Sequence, residues 1–125
     1  MANQTDLLEA RIDRFTVRAL RFIRTLPKDS ACETLAKQLA RAVCGASDNR
    51  RSARRARSRA EFVARLGVAV DEAAETRRWL QLLKDTACGH GEELEWLIAE
   101  SGELRAIAAA SLGTARRNDR ASHEV

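Results

Sequence analysis

The fold is decided by residues 49 to 83, which read NRRSARRARSRAEFVARLGVAVDEAAETRRWLQLL. Six of the ten residues from Arg50 to Arg59 are arginine, and none of the ten is acidic. From Phe62 onward, apolar or small residues return at alternating steps of four and three, which is the spacing of a helix in a left-handed bundle. The positions of this seam are Phe62, Leu66, Ala69, Ala73, Thr76, Leu80, Leu83 and Ala87.

The chain divides around this stretch into four segments that each carry one apolar helical face. Pro27 ends the first segment, and Gly89-His90-Gly91 makes a turn before the last one. The sequence predicts an all-α domain over residues 1–114, with helices at about residues 6–26, 30–48, 58–88 and 92–114. Because the connections are short, we expect an antiparallel, up-down-up-down four-helix bundle. Residues 115–125 are polar and short of apolar side chains, which predicts a disordered tail.

Three predicted helix starts carry a capping box, in which a short polar side chain is followed three residues later by Glu. Gly45 weakens the second helix, so a fray, a kink or a close contact is expected there. The arginine segment that follows contains neither Gly nor Pro, and both a loop and a lead-in helical turn stay open for it. The boxes are Asp6 with Glu9, Ser30 with Glu33, and Ser58 with Glu61, and Thr5 is an alternative first cap.

The length of the chain indicates a single domain, and the distribution of its charges indicates what kind of partner it binds. At 125 residues the chain has the length of one domain, and an aromatic content of 4% with a single Pro favours helices over strands. The charge is unevenly divided: residues 1–60 hold 14 Lys and Arg against 6 Asp and Glu, whereas residues 61–125 hold 8 against 12. A basic half and an acidic half indicate an acidic partner, charge-complementary contacts between copies, or both.

The three cysteines, Cys32, Cys44 and Cys88, form no CxxC pair and are odd in number, so neither a zinc site nor a disulfide framework is indicated. We expect reduced thiols that pack as small core or interface residues. The sequence begins with no secretion signal, and no apolar run approaches the roughly 20 residues that span a membrane. We therefore expect a cytoplasmic protein that does not enter a membrane.

Catalytic signatures are missing from the sequence. Only His90 and His123 are present, and neither belongs to a triad, a metal motif or a phosphate loop. Glu pairs occur at helical spacing, but the Glu-x-x-His partners of a di-metal bundle do not. We expect no enzyme activity, no metal site and no cofactor.

Basic side chains in the first half of the chain are candidates for binding nucleic acid, because arginine forms bidentate contacts with phosphate. Few aromatic residues are present to stack on bases, which favours salt-sensitive binding to the backbone. The alternative is that the arginines pair with acidic residues of the third and fourth helices, in the same or a neighbouring subunit. The candidates are Arg50, Arg51, Arg54, Arg55, Arg57 and Arg59, with Arg11, Arg14 and Arg18 on the first helix and Lys37 and Arg41 on the second. The arginines from Arg51 to Arg59 are expected to carry most of the binding.

The third helix has a second stripe beside its seam. Val68, Trp79 and Leu82 lie about 100 to 140 degrees from the seam, next to Glu72 and Glu75. A lone bundle would expose these apolar side chains, and an apolar patch flanked by charge is typical of a subunit contact. The alternative is a Trp that lies flat on the surface.

With its flanks, the opening stretch resembles a known family. The run from Asn49 to Val68, followed by Glu72-Ala73, Glu75-Thr76, Trp79-Leu80 and Leu82-Leu83, is similar to the four-helix-bundle family of 23S rRNA intervening-sequence proteins. The similarity extends to Lys37-Gln38-Leu39 upstream and to Glu103-Leu104 and Ala110-Ser111 downstream. The chain differs from the commoner family pattern just after Asn49 and at Asp71-Glu72.

The resemblance implies a cytosolic four-helix bundle that assembles into a ring-like homopentamer. It also implies kinship with accessory variability determinant proteins of diversity-generating retroelements, which bind nucleic acid and a reverse transcriptase through basic surfaces. Together, residues and resemblance predict a non-catalytic accessory protein that binds RNA or DNA. The alternative is a structural scaffold or adaptor for a protein partner, with the arginines in salt bridges between subunits.

Overall fold

The chain folds into four α-helices in a computed structural model that describes residues 3–124. The helices are α1 (Gln4–Ile23), α2 (Ser30–Arg54), α3 (Arg59–Asp85) and α4 (Glu92–Glu124). The described residues contain no strand, so the predicted all-α class is confirmed. No helix within residues 3–124 has the length and apolar character that crossing a bilayer requires.

Each helix packs against two neighbours, which closes the bundle. Both α1 and α3 contact α2 and α4, and the most extensive contact joins α2 to α3. Adjacent helices run in opposite directions, because Arg11 of α1 pairs with Glu100 of α4 while Arg18 pairs with the earlier residue Glu93. This is the arrangement of a four-helix bundle with short connections.

The seam predicted on α3 faces the core. Its three leucines, Leu66, Leu80 and Leu83, are almost completely buried, and so are Ala69 and Thr76. Phe62 and Ala73 are half-buried, and Ala87 lies beyond the helix end at a positive φ of 59°. The heptad spacing therefore predicted the buried face of α3 up to its last turn.

Two of the three predicted caps are replaced by residues earlier in the chain, so α1 begins two residues before its predicted start, whereas α2 begins at Ser30 as predicted. The N–H of Asp6 donates to Asn3 Oδ1 at 2.8 Å, and the N–H of Cys32 donates to Asp29 Oδ1 at 2.9 Å. Asn and Asp cap at least as well as Ser or Thr, so Asp6 and Ser30 become helical residues. The third prediction is confirmed, since Ser58 Oγ accepts from the N–H of Glu61 at 3.1 Å.

The arginine segment is divided between helix and connection. α2 continues through Arg54, six residues past its predicted end, and residues 55–58 connect it to α3. Gly45 does not interrupt α2. Of the three expected alternatives, a fray, a kink or a close contact, the structure shows the close contact. A Cβ on Gly45 would lie 3.1 Å from Glu72 Cδ, and Asn49 Nδ2 donates to the Gly45 carbonyl at 2.9 Å.

α4 continues through Glu124, where a disordered tail was expected from residue 115; Val125 lies outside the described residues. No Gly or Pro follows Gly113, and Ala and Arg are good helix formers. The extension also rests on α3. Arg116 Nη2 lies 4.0 Å from the position of a Cβ on Gly67, and Arg59 Nη1 donates to the Asn118 carbonyl at 3.2 Å. Periodicity of apolar residues does not reveal contacts of this kind.

The expectation of reduced core thiols is wrong for two of the three cysteines. Cys32 and Cys88 form a disulfide with Cα atoms 5.5 Å apart, and both are buried in the core. Cys44 is free and exposed on α2. The bond forms because antiparallel packing brings the start of α2 beside the α3–α4 turn, a proximity that an odd cysteine count does not rule out.

Thiol titration tests the disulfide. Native protein purified without reductant should show one reactive thiol, that of Cys44. Reduction should lower the free energy of unfolding by about 2 to 4 kcal/mol, because the bond closes a long loop between residues separated by 56 positions. Urea titrations with and without reductant measure the change. Cys44→Ser is the control and should respond to reductant as the wild type does; three reactive thiols in the native protein would contradict the bond.

Candidate nucleic-acid interface

Two predicted phosphate-binding residues of α1 are instead engaged with α4. Arg11 donates through Nε and Nη2 to the two carboxylate oxygens of Glu100, both at 2.7 Å, and also pairs with Glu103. Arg18 binds Glu93 in the same bidentate way. These hydrogen bonds lower the pKa of Glu100 and of Glu93. Bidentate Arg–carboxylate pairs are among the stronger polar contacts in proteins.

Arg18 makes a second contact that holds it on α4. Its guanidinium carbon lies 3.5 Å from the centroid of the Trp96 ring, within the range of a cation–π interaction. Phe15 of α1 packs at a tilt on the same ring, with 6.3 Å between centroids. Arg18 therefore holds α1 against α4 through both an ion pair and a cation–π contact.

Three candidates on α2 are also paired within the chain. Arg41 lies 3.7 Å from Glu72 and 3.3 Å from Glu75 on α3. Towards α1, Arg51 lies 3.5 Å from Asp13, and Arg54 pairs with Glu9. With Arg11 and Arg18, five of the eleven candidates thus form ion pairs inside the chain. The intramolecular alternative holds for these five, although Arg51 and Arg54 pair with α1 rather than with the expected helices α3 and α4.

Arg50 points towards the bundle interior. It is half-buried, and burial lowers its pKa. Its Nε is enclosed and has no hydrogen-bond partner within residues 3–124. Arg50 therefore lies apart from the exposed arginines that follow it in the sequence.

The remaining candidates are exposed, and their side chains form no salt bridge in the part of the chain with described side chains, residues 3–123. The backbone N–H of Arg57 donates to Glu61 Oε2 at 3.3 Å. Arg14 lies on α1, and Lys37 precedes Arg55 by 18 residues, about 27 Å along α2. These two are isolated from the rest. The three that stay together are Arg55, Arg57 and Arg59, at the connection from α2 to α3.

The end of α4 adds three arginines that the sequence analysis did not select. The contacts of Arg59 with Asn118 and of Arg116 with Gly67 place the last turns of α4 beside the α2–α3 connection. Residues 55–61 and 116–120 together contain six arginines and two carboxylates, Glu61 and Asp119. We call the six arginines the basic end: Arg55, Arg57, Arg59, Arg116, Arg117 and Arg120, all exposed. The signal for these residues in the sequence is the spacing of Arg116 and Arg120, which lie one helical turn apart within the segment predicted to be a disordered tail.

The predicted interface stripe on α3 is divided between core and surface. Val68 is exposed, at 44%. Trp79 and Leu82 are half-buried, and Trp79 packs against the main core. Glu75 is exposed and Glu72 is half-buried, with burial and then the charge of Glu75 raising the pKa of Glu72. Val68 is thus the member of the stripe that is available to another subunit without disturbing the fold.

The described residues contain no group of three or more His, Cys, Asp or Glu side chains able to hold a metal ion. What they present instead is an exposed cluster of guanidinium groups at one end of the bundle. Such a cluster suits multivalent anions, since each guanidinium offers several donors to phosphate oxygens.

Residues 10–110 match the family model described as 23S rRNA-intervening sequence protein. The fold is similar to the crystal structure of a protein of unknown function from the S23 ribosomal protein family of Bacteroides thetaiotaomicron, with a TM-score of 0.76 and 28% sequence identity. The similarity covers 84% of this chain and 97% of the other. No curated protein matches the chain. The family match includes the α2–α3 connection and ends before Arg116, so the α4 half of the basic end lies outside it.

Loss of the charge of Glu100 should lower the free energy of unfolding, whereas loss of the charge of Glu72 should leave it unchanged or raise it. The pKa of Glu100 is lowered in the fold, so its ion pair stabilises above the unfolded-state pKa and is lost as pH falls through the folded-state value. The pKa of Glu72 is raised, so its ionised form costs stability as pH rises through the folded-state value. At pH 7, Glu100→Gln should destabilise by about 1 to 2 kcal/mol, whereas Glu72→Gln should be neutral or stabilising.

Urea unfolding of both variants at neutral pH, repeated near pH 3, measures these effects. The two variants should move towards the wild type as pH falls, because protonation of Glu72 and, at lower pH, of Glu100 removes the charge that each substitution deletes. A destabilised Glu72→Gln at pH 7 would show that its pair with Arg41 outweighs the cost of burial.

Proposed function

Because the chain belongs to the family of 23S rRNA-intervening sequence proteins, we propose that it is a non-catalytic accessory protein that binds the sugar-phosphate backbone of RNA or DNA. The observation that carries the proposal is the basic end, where six exposed arginines from two segments face solvent with two carboxylates among them. Neutralisation of phosphates by such groups releases counterions, which supplies sequence-independent affinity.

The basic end favours backbone contacts over base recognition. Neither residues 55–61 nor residues 116–120 contain an aromatic side chain, so no stacking platform for bases is present in them. Arg55 and Arg57 lie outside the helices, where their side chains are less restricted than on a packed face. The proposed binding is therefore tolerant of sequence and sensitive to salt.

The proposal includes assembly into a ring-like homopentamer in the cytoplasm. Five copies repeat the basic end five times, which converts weak contacts into useful affinity through effective concentration. Exposed Val68, flanked by Glu72 and Glu75, supplies an apolar contact with a charged rim. Cytoplasmic thiols are kept reduced, and burial of Cys32 and Cys88 slows the attack of other thiolates on the bond between them.

A second candidate function is that of a scaffold or adaptor for a protein partner, such as the reverse transcriptase of related systems. The observation that favours it is the internal pairing of Arg11, Arg18, Arg41, Arg51 and Arg54, which removes five of the eleven predicted phosphate contacts. A partner with acidic side chains would then use the same basic end.

Charge reversal at the α2–α3 connection tests nucleic-acid binding. Arg55→Glu with Arg57→Glu should weaken binding to a short RNA duplex by about tenfold or more and reduce the slope of log affinity against log salt by about 2. Fluorescence anisotropy between about 50 and 200 mM salt measures both quantities. Helicity should be unchanged, because both residues lie outside the helices.

The matched control is Arg77→Glu with Arg78→Glu, which makes the same charge change at exposed positions in the second half of α3. It should retain affinity within about threefold. Equal loss in both double variants would assign binding to overall charge, and no loss in the first would remove the basic end from the proposed function.

Val68→Glu tests the assembly. The wild type should scatter light with a mass near five times the chain mass of 13.9 kDa, and the variant should fall towards one chain because a buried charge at the contact is costly. Val17→Glu is the control, since Val17 is equally exposed, at 46%, but lies on α1. Trp79 is a poorer test position, because it packs on the core. A variant that keeps the five-chain mass would place the contact elsewhere.

A further inference from the structure

The core of the bundle is interrupted between its two ends. A main cluster of buried residues fills the end that carries the disulfide, and a small cluster of Ala53, Leu66 and Leu112 lies towards the basic end. Between them is a cavity of about 50 Å³ lined by all four helices. A single water needs about 10 to 15 Å³ measured in this way, so the cavity has room for several heavy atoms.

The cavity arises from small residues that face one another. Ala46, Ala69, Ala73 and Ala108 line it, whereas leucines fill the layers on either side. Three of its four hydroxyl groups are already used, since Thr16, Thr76 and Ser101 donate to carbonyls of their own helices, and the fourth belongs to Ser47. The wall is therefore mostly apolar, which suits a hydrocarbon better than water.

The cavity lies next to the protein surface between α1 and α4. A surface groove at this place shares Leu8, Arg50 and Ile107 with the cavity wall. Leu7 borders the groove and is 60% exposed. Of the four helices, α1 is the least extensively packed, because its contacts with α2 and α4 are much smaller than those of α3.

Arg50 is the one basic residue on the wall of both the cavity and the groove within residues 3–124. Its Nε is buried without a hydrogen-bond partner in that range. The neighbouring carboxylate of Glu9 is paired with Arg54, and Arg11 in the same groove is held by Glu100 and Glu103. A buried donor without an acceptor costs free energy, which an anionic ligand at the rim would recover.

We propose that the cavity and groove bind a medium-chain carboxylate, with the end of the apolar chain in the cavity, the rest of the chain in the groove, and the carboxylate accepting hydrogen bonds from Arg50. The apolar end of the ligand matches the apolar wall, and its charged end matches the Arg50 guanidinium, which forms no salt bridge within residues 3–123. The site is independent of the basic end, since Arg50 belongs to the interior face of α2. This ligand site is therefore separate from the proposed nucleic-acid interface, and an experiment can refute either proposal without affecting the other.

Methyl NMR with the saturated acids from butanoate to octanoate tests the site at millimolar concentration. Resonances of Leu8, Ile12 and Ile107 should shift, and affinity should rise about fourfold with each added methylene until the cavity is filled. Octanol, which lacks the charge, should bind about tenfold more weakly than octanoate. No shift with octanoate, or equal affinity for octanol, would overturn the proposal.

Two variants locate the ligand. Arg50→Met keeps the alkyl stem and should weaken octanoate about tenfold while leaving octanol unchanged. Ala73→Leu should fill the cavity and abolish both, and Ala46→Leu replaces it if that variant does not fold. Arg55→Glu with Arg57→Glu is the control and should bind octanoate as the wild type does. Unchanged octanoate binding by Arg50→Met, or by a folded cavity-filling variant, would also overturn the proposal.

Discussion

Burial of the α3 seam is the constraint on which the bundle depends. Leu66, Leu80 and Leu83 are removed from solvent between α2 and α4, and hydrophobic burial of this kind is the main favourable term in folding. α2 approaches α3 closely because Gly45 leaves room for the Glu72 side chain. The three helices α2, α3 and α4 therefore form the tightly packed part of the molecule.

The first helix is attached by a different kind of contact. It has less apolar contact with its neighbours, and four of its side chains form ion pairs: Glu9, Arg11, Asp13 and Arg18. Arg51 and Arg54 are neutralised by pairs with α1, whereas the arginines that follow the end of α2 lie beside the last turns of α4, which bring three more arginines. The positive charge of the chain is thus neutralised by ion pairs in the middle of the bundle and unpaired at the basic end. The same geometry explains why Arg54 is paired and Arg55 is not.

Local patterns predicted the local features of this fold. Four helices, the buried face of α3 and the Ser58 cap follow from spacing and capping chemistry, which act within a few residues. The Cys32–Cys88 bond and the contact of Arg116 with Gly67 join residues far apart in sequence, so no window on the chain contains them. The candidate site shows the same division. The Arg55 to Arg59 cluster was visible in the sequence, but its separation from paired Arg51 and Arg54, and its union with α4, required the tertiary structure.

The alanines that line the cavity are suited to close helix packing, and yet they leave a gap in the core of the bundle. Ala46 on α2 and Ala69 and Ala73 on α3 are residues that permit close helix approach. Helices are rigid over this length, however, and leucines in the adjoining layers set the distance between their axes. The short side chains then cannot meet across the bundle, and a cavity follows. Close packing in cores is the rule, and departures from local rules concentrate at functional sites. The cavity departs from close packing, and the buried Nε of Arg50 beside it departs from the rule that buried polar groups form hydrogen bonds.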